Sequence, residues 1–173
     1  KIHEYDELVT GNIIFQNRMK GVGMLSAEDA ISYGCTGPVA RGSGVSSDIR
    51  KVQPYEIYDK LEFDEVLETG CDSFARYLIR IKEMNQSIRI VEQLIDNIPE
   101  GDFQAKTKAV LKLPKGEFYT RVETARGELG VYIVSEGGTT PYRIKFRSPG
   151  FSNLSVLDKI ARGGKIGDLI AMM

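Results

Sequence analysis

Between Leu67 and Ile98 the apolar residues recur at intervals of three and four: Leu67, Cys71, Phe74, Leu78, Ile81, Met84, Ile88, Val91, Leu94 or Ile95, and Ile98. That spacing places them on one side of an α-helix. Thr69 with Asp72 three residues on predicts a capping-box-like start, and Pro99 followed by Gly101 predicts the stop. A helix from about Gly70 to Ile98 would be roughly 43 Å long at 1.5 Å per residue. Such a helix is not stable alone, so the pattern predicts packing in a bundle with other long helices. The glycines agree. Only Gly70 and Gly101 lie between Val45 and Lys115, whereas six fall between Gly21 and Gly44 and nine between Gly116 and Gly167. Glycine weakens helices and marks turns, so the middle is expected to be helical and its flanks richer in loops or strands.

The segment from about His3 to Lys20 reads as a second helix, with Leu8, Phe15 and Met19 sharing a face with Asn12. An amide on that face is expected to make a buried hydrogen bond. A short helix is expected to start at Ser26, with Glu28 and Asp29 in its first turn, and to end at Gly34. Beyond Lys115 the period becomes two. Phe118, Thr120 and Val122 alternate with Tyr119, Arg121 and Glu123; Val131, Ile133 and Ser135 with Tyr132, Val134 and Glu136; Tyr142, Ile144 and Phe146 with Arg143, Lys145 and Arg147. Arg126-Gly127 and Gly137-Gly138 sit where turns are needed, which predicts an antiparallel meander of three strands ended by Pro149-Gly150. Helices from about Asn153 to Ala161 and from Ile166 onward are expected to follow. The whole reads as one α+β unit: a long-helix bundle over 1–115, a small antiparallel sheet over 116–150 and C-terminal helices over 151–173.

Composition narrows function by exclusion. The chain carries 23 basic and 24 acidic residues, so it lacks the basic excess of a nucleic-acid binder. Two cysteines and one histidine make neither a Cys-rich zinc site nor a disulfide framework. No run approaches the 18 or so apolar residues of a membrane span. No signal peptide is visible, and the two sequons, at Asn85 and Asn153, read as chance in a chain expected in a reducing, cytosol-like compartment. The start at Lys1 and the apolar run 169–173 at the other end suggest a piece of something longer.

Several stretches invite a chemical reading. Gly37 to Gly44 has the glycine content of a phosphate-cradling loop but lacks the following Lys, and Gly163-Gly164-Lys165-Ile166 has Ile where a P-loop has Ser or Thr. Both read better as packed loops. Cys35 and Cys71 form no CxxC and read as structural, although Cys71 is expected in a first helical turn, where a thiolate is favoured. His3 has no partner motif and reads as solvent-facing. Arg76, Arg80 and Glu83 form a stripe spaced for ion pairing. Arg143, Lys145 and Arg147 share one strand face, which suits either a partner's acids or plain solvation. The segment Glu123-Thr124-Ala125-Arg126-Gly127-Glu128 places three charges at a tight turn, and reads as a site or an interface.

Taken together, a series of motifs resembles a known family. It comprises Leu8 to Phe15, Arg18, Gly21 to Ala30, Gly34 to Gly44, Asp48-Ile49-Arg50, Pro54-Tyr55 and Tyr58. It continues with Arg126 to Tyr132, Gly137 to Arg143, Phe146 to Phe151 and Gly163 to Ile170. The ensemble resembles the 49-kDa subunit family of respiratory complex I, the D subunit of bacterial NADH-quinone oxidoreductase, over essentially the whole chain. Asp72 and Arg76 fit the family's Asp-x-x-x-Arg pattern. Ala125 stands where the family commonly has Pro, and Phe63-Asp64-Glu65-Val66 lacks the Pro of the family's usual sequence.

The resemblance implies a fold related to the large subunit of nickel-iron hydrogenases and a place in the peripheral arm, on the cytoplasmic side of the inner membrane. Quinone is the implied substrate, with NADH, FMN and iron–sulfur clusters held by partner subunits and no catalytic residue or metal in this stretch. The implied partners are the iron–sulfur subunit at the quinone site, the C subunit and the membrane arm. The family's His and Tyr at the quinone headgroup would lie before Lys1, and a further Asp after Met173. Candidate residues at the quinone cavity or an interface are Glu123, Arg126, Glu128, Arg143, Arg147 and Arg41. The equivalent subunit of a ferredoxin-dependent or hydrogenase-type membrane complex, and a non-redox scaffold, are the alternatives.

Overall fold

A computed structural model describes residues 1–107 and 110–172. The amino-terminal helix is interrupted. Helix α1 (Ile2–Tyr5) runs into a π-helical turn over Asp6–Thr10, the chain breaks at Gly11, and α2 (Ile13–Met19) begins afresh. Asn12 is the reason. Its side chain accepts from the backbone N–H of Ile14 at 2.9 Å and of Phe15 at 3.3 Å, so it caps α2 instead of continuing a helix. Asn12 is exposed, which corrects the expectation of a buried amide on a continuous helical face.

Short helices then build the core: α3 (Ala27–Ser32), capped by Ser26 as expected, α4 (Pro38–Arg41) and α5 (Ile49–Val52). The long helix α6 spans Ser73–Ile95. Its cap is Asp72, whose carboxylate accepts from Ala75 N–H and from Gly21 N–H, each at 2.8 Å. Thr69 therefore does not cap it. Cys71 lies before the helix at φ 60°, not in its first turn.

Helix α6 presents a different face to the protein from the one the period predicts. Ala75, Arg76, Ile79 and Ile90 are buried, whereas the apolar stripe emerges: Met84 is 36% exposed, Ile88 46%, Val91 51% and Ile95 61%. Among the described residues no second helix is longer than seven residues, so the expected long-helix bundle is not complete within this chain. The stripe has the right period, but nothing among the described residues covers its carboxy-terminal half.

The sheet follows expectation. Strands β1 (Gly116–Thr124), β2 (Gly127–Ser135) and β3 (Arg143–Arg147) form an antiparallel meander in the order β1-β2-β3. The register pairs Thr124 with Gly127, Phe118 with Ile133 and Val131 with Phe146. Alternation puts Phe118, Val122, Val131, Ile133, Ile144 and Phe146 on one face, and Tyr119, Arg121, Glu123, Glu128, Tyr132, Lys145 and Arg147 on the other. Pro149 opens α7 (Pro149–Ser155), since proline fits a first helical turn; the expected start near Asn153 therefore moves earlier. Helices α8 (Leu157–Ala161) and α9 (Leu169–Met172) follow. The buried cluster of Leu25, Ala30, Cys35, Ala40 and Val156 joins α3, α4 and the α7–α8 corner. Among the described residues no helix is long and apolar enough to cross a membrane.

Candidate functional site

The first hairpin turn is clamped against the loop that leads into α4. Gly37 (φ 68°) and Gly127 (φ 121°) cross at van der Waals contact: a Cβ on Gly37 would lie 2.4 Å from Gly127 Cα, and one on Gly127 would lie 2.6 Å from Thr36 Oγ1. Only glycine permits this approach and these backbone angles together. Thr36 completes the joint. Its Oγ1 accepts from Glu128 N–H at 3.1 Å and from Arg147 Nη1 at 3.1 Å. Asn153 on α7 closes it from the other side, its Oδ1 accepting from Thr36 N–H at 3.1 Å and its Nδ2 donating to Arg126 O at 3.0 Å. The glycine-rich stretch from Gly37 is thus packed against the hairpin, but it holds helix α4 between Gly37 and Gly42 instead of being loop throughout.

Behind the joint lies a buried charge network. Arg41, 1% exposed, donates from Nε to Glu83 Oε1 at 2.7 Å and from Nη1 to Glu123 Oε1 at 2.9 Å. Glu123 Oε2 also accepts from Ile49 N–H at 3.2 Å, while Tyr55 OH accepts from Glu123 N–H at 3.2 Å. Burial opposes the charge on Arg41, but Glu83 and Glu123 more than offset it and hold Arg41 above the ordinary arginine value. Burial pushes Glu123 up, with the nearby charge of Asp48 adding to it and Arg41 opposing. Next to the network, Asp48 accepts from Arg50 Nε at 3.0 Å and Nη2 at 2.7 Å. Burial raises Asp48 and Arg50 outweighs it, so the carboxyl rests below its usual range.

The six candidate residues form two pairs and two single residues. Arg41 and Glu123 meet in the buried network. Glu128 and Arg147 meet at the joint: Arg147 donates to Glu128 O at 2.6 Å and to Gly34 O at 2.8 Å, while the Glu128 carboxylate accepts from Arg121 Nη1 at 3.3 Å and Tyr119 OH at 3.1 Å. Arg126 is exposed at the tip, and Arg143 faces outward on β3, lining one hollow with Arg147, Lys145, Tyr119 and Tyr132. The Arg76, Arg80 and Glu83 stripe does not pair within itself, because Glu83 is taken by Arg41. Glu83, Thr36 and Asn153 are functional neighbours that local pattern does not reveal, since their partners lie 42 to 117 residues away in sequence.

A cavity of about 690 Å³ opens between this network and α6, lined by Arg41, Arg50, Tyr58, Tyr77, Arg80, Ile81, Met84, Glu123 and Arg126 among others. One wall is apolar and the rim carries guanidinium groups. Such a site can take a ring on the wall and favour negative charge at the rim. Among the described residues no group of three or more His, Cys, Asp or Glu side chains could hold a metal ion.

Comparison with known proteins identifies the family of the chain. Residues 1–113 and 107–173 match the family described as respiratory-chain NADH dehydrogenase, 49 Kd subunit, and the chain belongs to that family. A Bacteroides fragilis protein, named as the C/D subunit of NADH-quinone oxidoreductase, is 54% identical over 171 residues, which is 99% of this chain and 32% of the relative. The D subunit of NADH-quinone oxidoreductase from Desulforamulus reducens is 50% identical over 99% of this chain and 47% of its own length. A Gloeobacter violaceus protein, named as an H subunit of NAD(P)H-quinone oxidoreductase, is 42% identical over the whole chain and 50% of the relative. The chain thus spans about a third to a half of the length of these relatives.

Proposed function

We propose that this chain belongs to the peripheral-arm subunit that, with a neighbouring iron–sulfur subunit, encloses the quinone cavity of a proton-translocating NADH-quinone oxidoreductase. The observation that carries this is the identity of half or more, over 99% of the chain, to subunits that bear that enzyme's name. Electrons from NADH pass through FMN and iron–sulfur clusters on other subunits and reduce quinone, and that reduction drives proton translocation in the membrane arm.

This chain's own residues supply position and field. The Gly37–Gly127 crossing, Thr36 and Asn153 hold the Arg126 turn. Arg41 and Glu123 tie that turn to α6, so the arginine rim keeps its place beside the apolar wall. A guanidinium so held stabilises negative charge on a quinone oxygen or on a facing group. The C subunit, the iron–sulfur subunit and the membrane arm are the partners, on the cytoplasmic face of the inner membrane, and the fold is of the nickel-iron hydrogenase large-subunit kind. The relatives of higher identity carry NADH in their names, which favours that donor over the ferredoxin-dependent or hydrogenase-type alternative.

Loss of this protein is expected to abolish NADH-driven quinone reduction in the membrane fraction, and survival of that activity would overturn the reading. Arg126→Ala in the assembled complex is expected to lower quinone reduction by roughly tenfold or more, the scale of losing one electrostatic donor. Normal turnover in an assembled complex would remove Arg126 from the site.

A further inference from the structure

Arg41, Arg50, Arg80 and Arg126 all line the 690 Å³ cavity, but they are held in different ways. Arg41 gives its donors to Glu83 and Glu123 and is buried beneath the cavity wall. Arg80 donates from Nη1 to Arg76 O at 2.8 Å, a bond within α6. Arg126 is exposed, and among the described residues no hydrogen bond fixes its guanidinium. Arg50 is both fixed and open. Its Nε and Nη2 make a fork on the buried Asp48 carboxylate, at 3.0 and 2.7 Å. Its guanidinium lies 5.0 Å from the ring centre of Phe63 and 5.9 Å from that of Tyr58. Nη1 has no hydrogen-bond partner among the described residues, although the side chain is only 15% exposed. Burial opposes the charge, and the bonds to Asp48 outweigh it, so Arg50 rests above the ordinary arginine value.

A donor held in this way has lost its freedom before any ligand arrives, so little more order is needed to meet an oxygen in the cavity. A quinone becomes a quinol by taking two electrons and two protons. The electrons come from the iron–sulfur clusters of partner subunits, and Arg50 supplies neither proton, because a guanidinium keeps its own. Negative charge gathers on a quinone oxygen as the electrons arrive. A fixed cationic donor meets that charge more strongly than it meets the neutral quinone, which speeds the step and does more than tighten binding. We infer that Arg50 is the fixed hydrogen-bond donor to a quinone oxygen in this cavity, with Asp48 as its positioning residue. This rests on the proposed function and names the side chain that meets the substrate.

The test uses the full-length subunit in the assembled membrane complex, with quinone reduction measured per assembled complex. Arg50→Ala is expected to lower kcat by roughly tenfold or more, with a smaller change in KM. Added guanidine is expected to restore part of the Arg50→Ala rate, because it can refill the vacated place, and a merely structural arginine would give no such rescue. Arg50→Lys keeps the charge beside Asp48 but cannot form the fork, so it too is expected to be slow. It serves as the test if Arg50→Ala does not assemble. Asp48→Asn should slow turnover through Arg50, so the double variant Asp48→Asn with Arg50→Ala is expected to be no slower than Arg50→Ala alone. Normal kcat in the Arg50 variants, a loss that guanidine does not restore, or a rise in KM at unchanged kcat would each overturn the inference. Additive losses in the double variant would overturn the role of Asp48. Arg126→Ala, measured alongside, separates the two readings. If it slows turnover and the Arg50 variants do not, only Arg50 leaves the site; if neither does, the quinone leaves this cavity.

Discussion

Arg41 is a single cation facing two carboxylates in the interior, so each of its partners depends on it. Arg41→Met leaves Glu83 and Glu123 without their shared partner and is expected to cost about 3–5 kcal/mol, measured as a shift in denaturant midpoint. Asp48 and Glu123 should then show opposite pH behaviour. The Asp48 carboxyl is lowered in the folded chain, so its contribution is full above the ordinary aspartate range and lost as pH falls through the folded value. Asp48→Asn is expected to destabilise by about 1–3 kcal/mol at neutral pH and by less in acid. Glu123 is raised, so its contribution is full below the ordinary glutamate range and lost as pH rises through the folded value. The penalty of Glu123→Gln should therefore shrink as pH rises, and denaturant titrations of both variants across acid and neutral pH check the two signs. At this scale little was legible in the sequence. Three charges at one turn flagged Glu123, Arg126 and Glu128, but the partners Glu83, Thr36 and Asn153 are contiguous only in space. Asn12 misled because a polar residue on a helical face and a helix cap look alike until the chain is seen to break.

Among the elements, the antiparallel meander was legible in strand order and pairing, although β2 starts at Gly127, four residues before the predicted alternation at Val131. A period of two, with turn residues between the runs, leaves few other ways to pair three short strands. Helix α6 was legible in extent and type, but not in which face the chain covers. Periodicity reports that a stripe is apolar and says nothing of where its cover comes from. The two faces can be told apart by mutation. Ile79 is fully buried, and Ile79→Ala is expected to cost about 2–5 kcal/mol. Ile88 is 46% exposed, and Ile88→Glu should change the unfolding of the chain by no more than about 0.5 kcal/mol. In the assembled oxidoreductase the same Ile88→Glu is expected to weaken assembly, read as loss of the subunit from the purified complex.

At the scale of the whole molecule the family was legible because many short motifs recur in order, although none of them names a reaction. The joint between helices and sheet was not legible, since Gly37 and Gly127 each look like an ordinary turn glycine. Gly127→Ala is expected to destabilise the chain by about 1–3 kcal/mol or more, because φ and contact distance both exclude a side chain there. Thermal unfolding of that variant checks it. The crossing also acts as a register gauge. A hairpin that slipped by two residues would keep its inside and outside faces, and neither its hydrophobic pattern nor its charges would betray the error at once. It would, however, bring Ala125 or Leu129 against Gly37 in place of Gly127. The sheet can close onto the helices in one register only, and a missing methyl group does the checking.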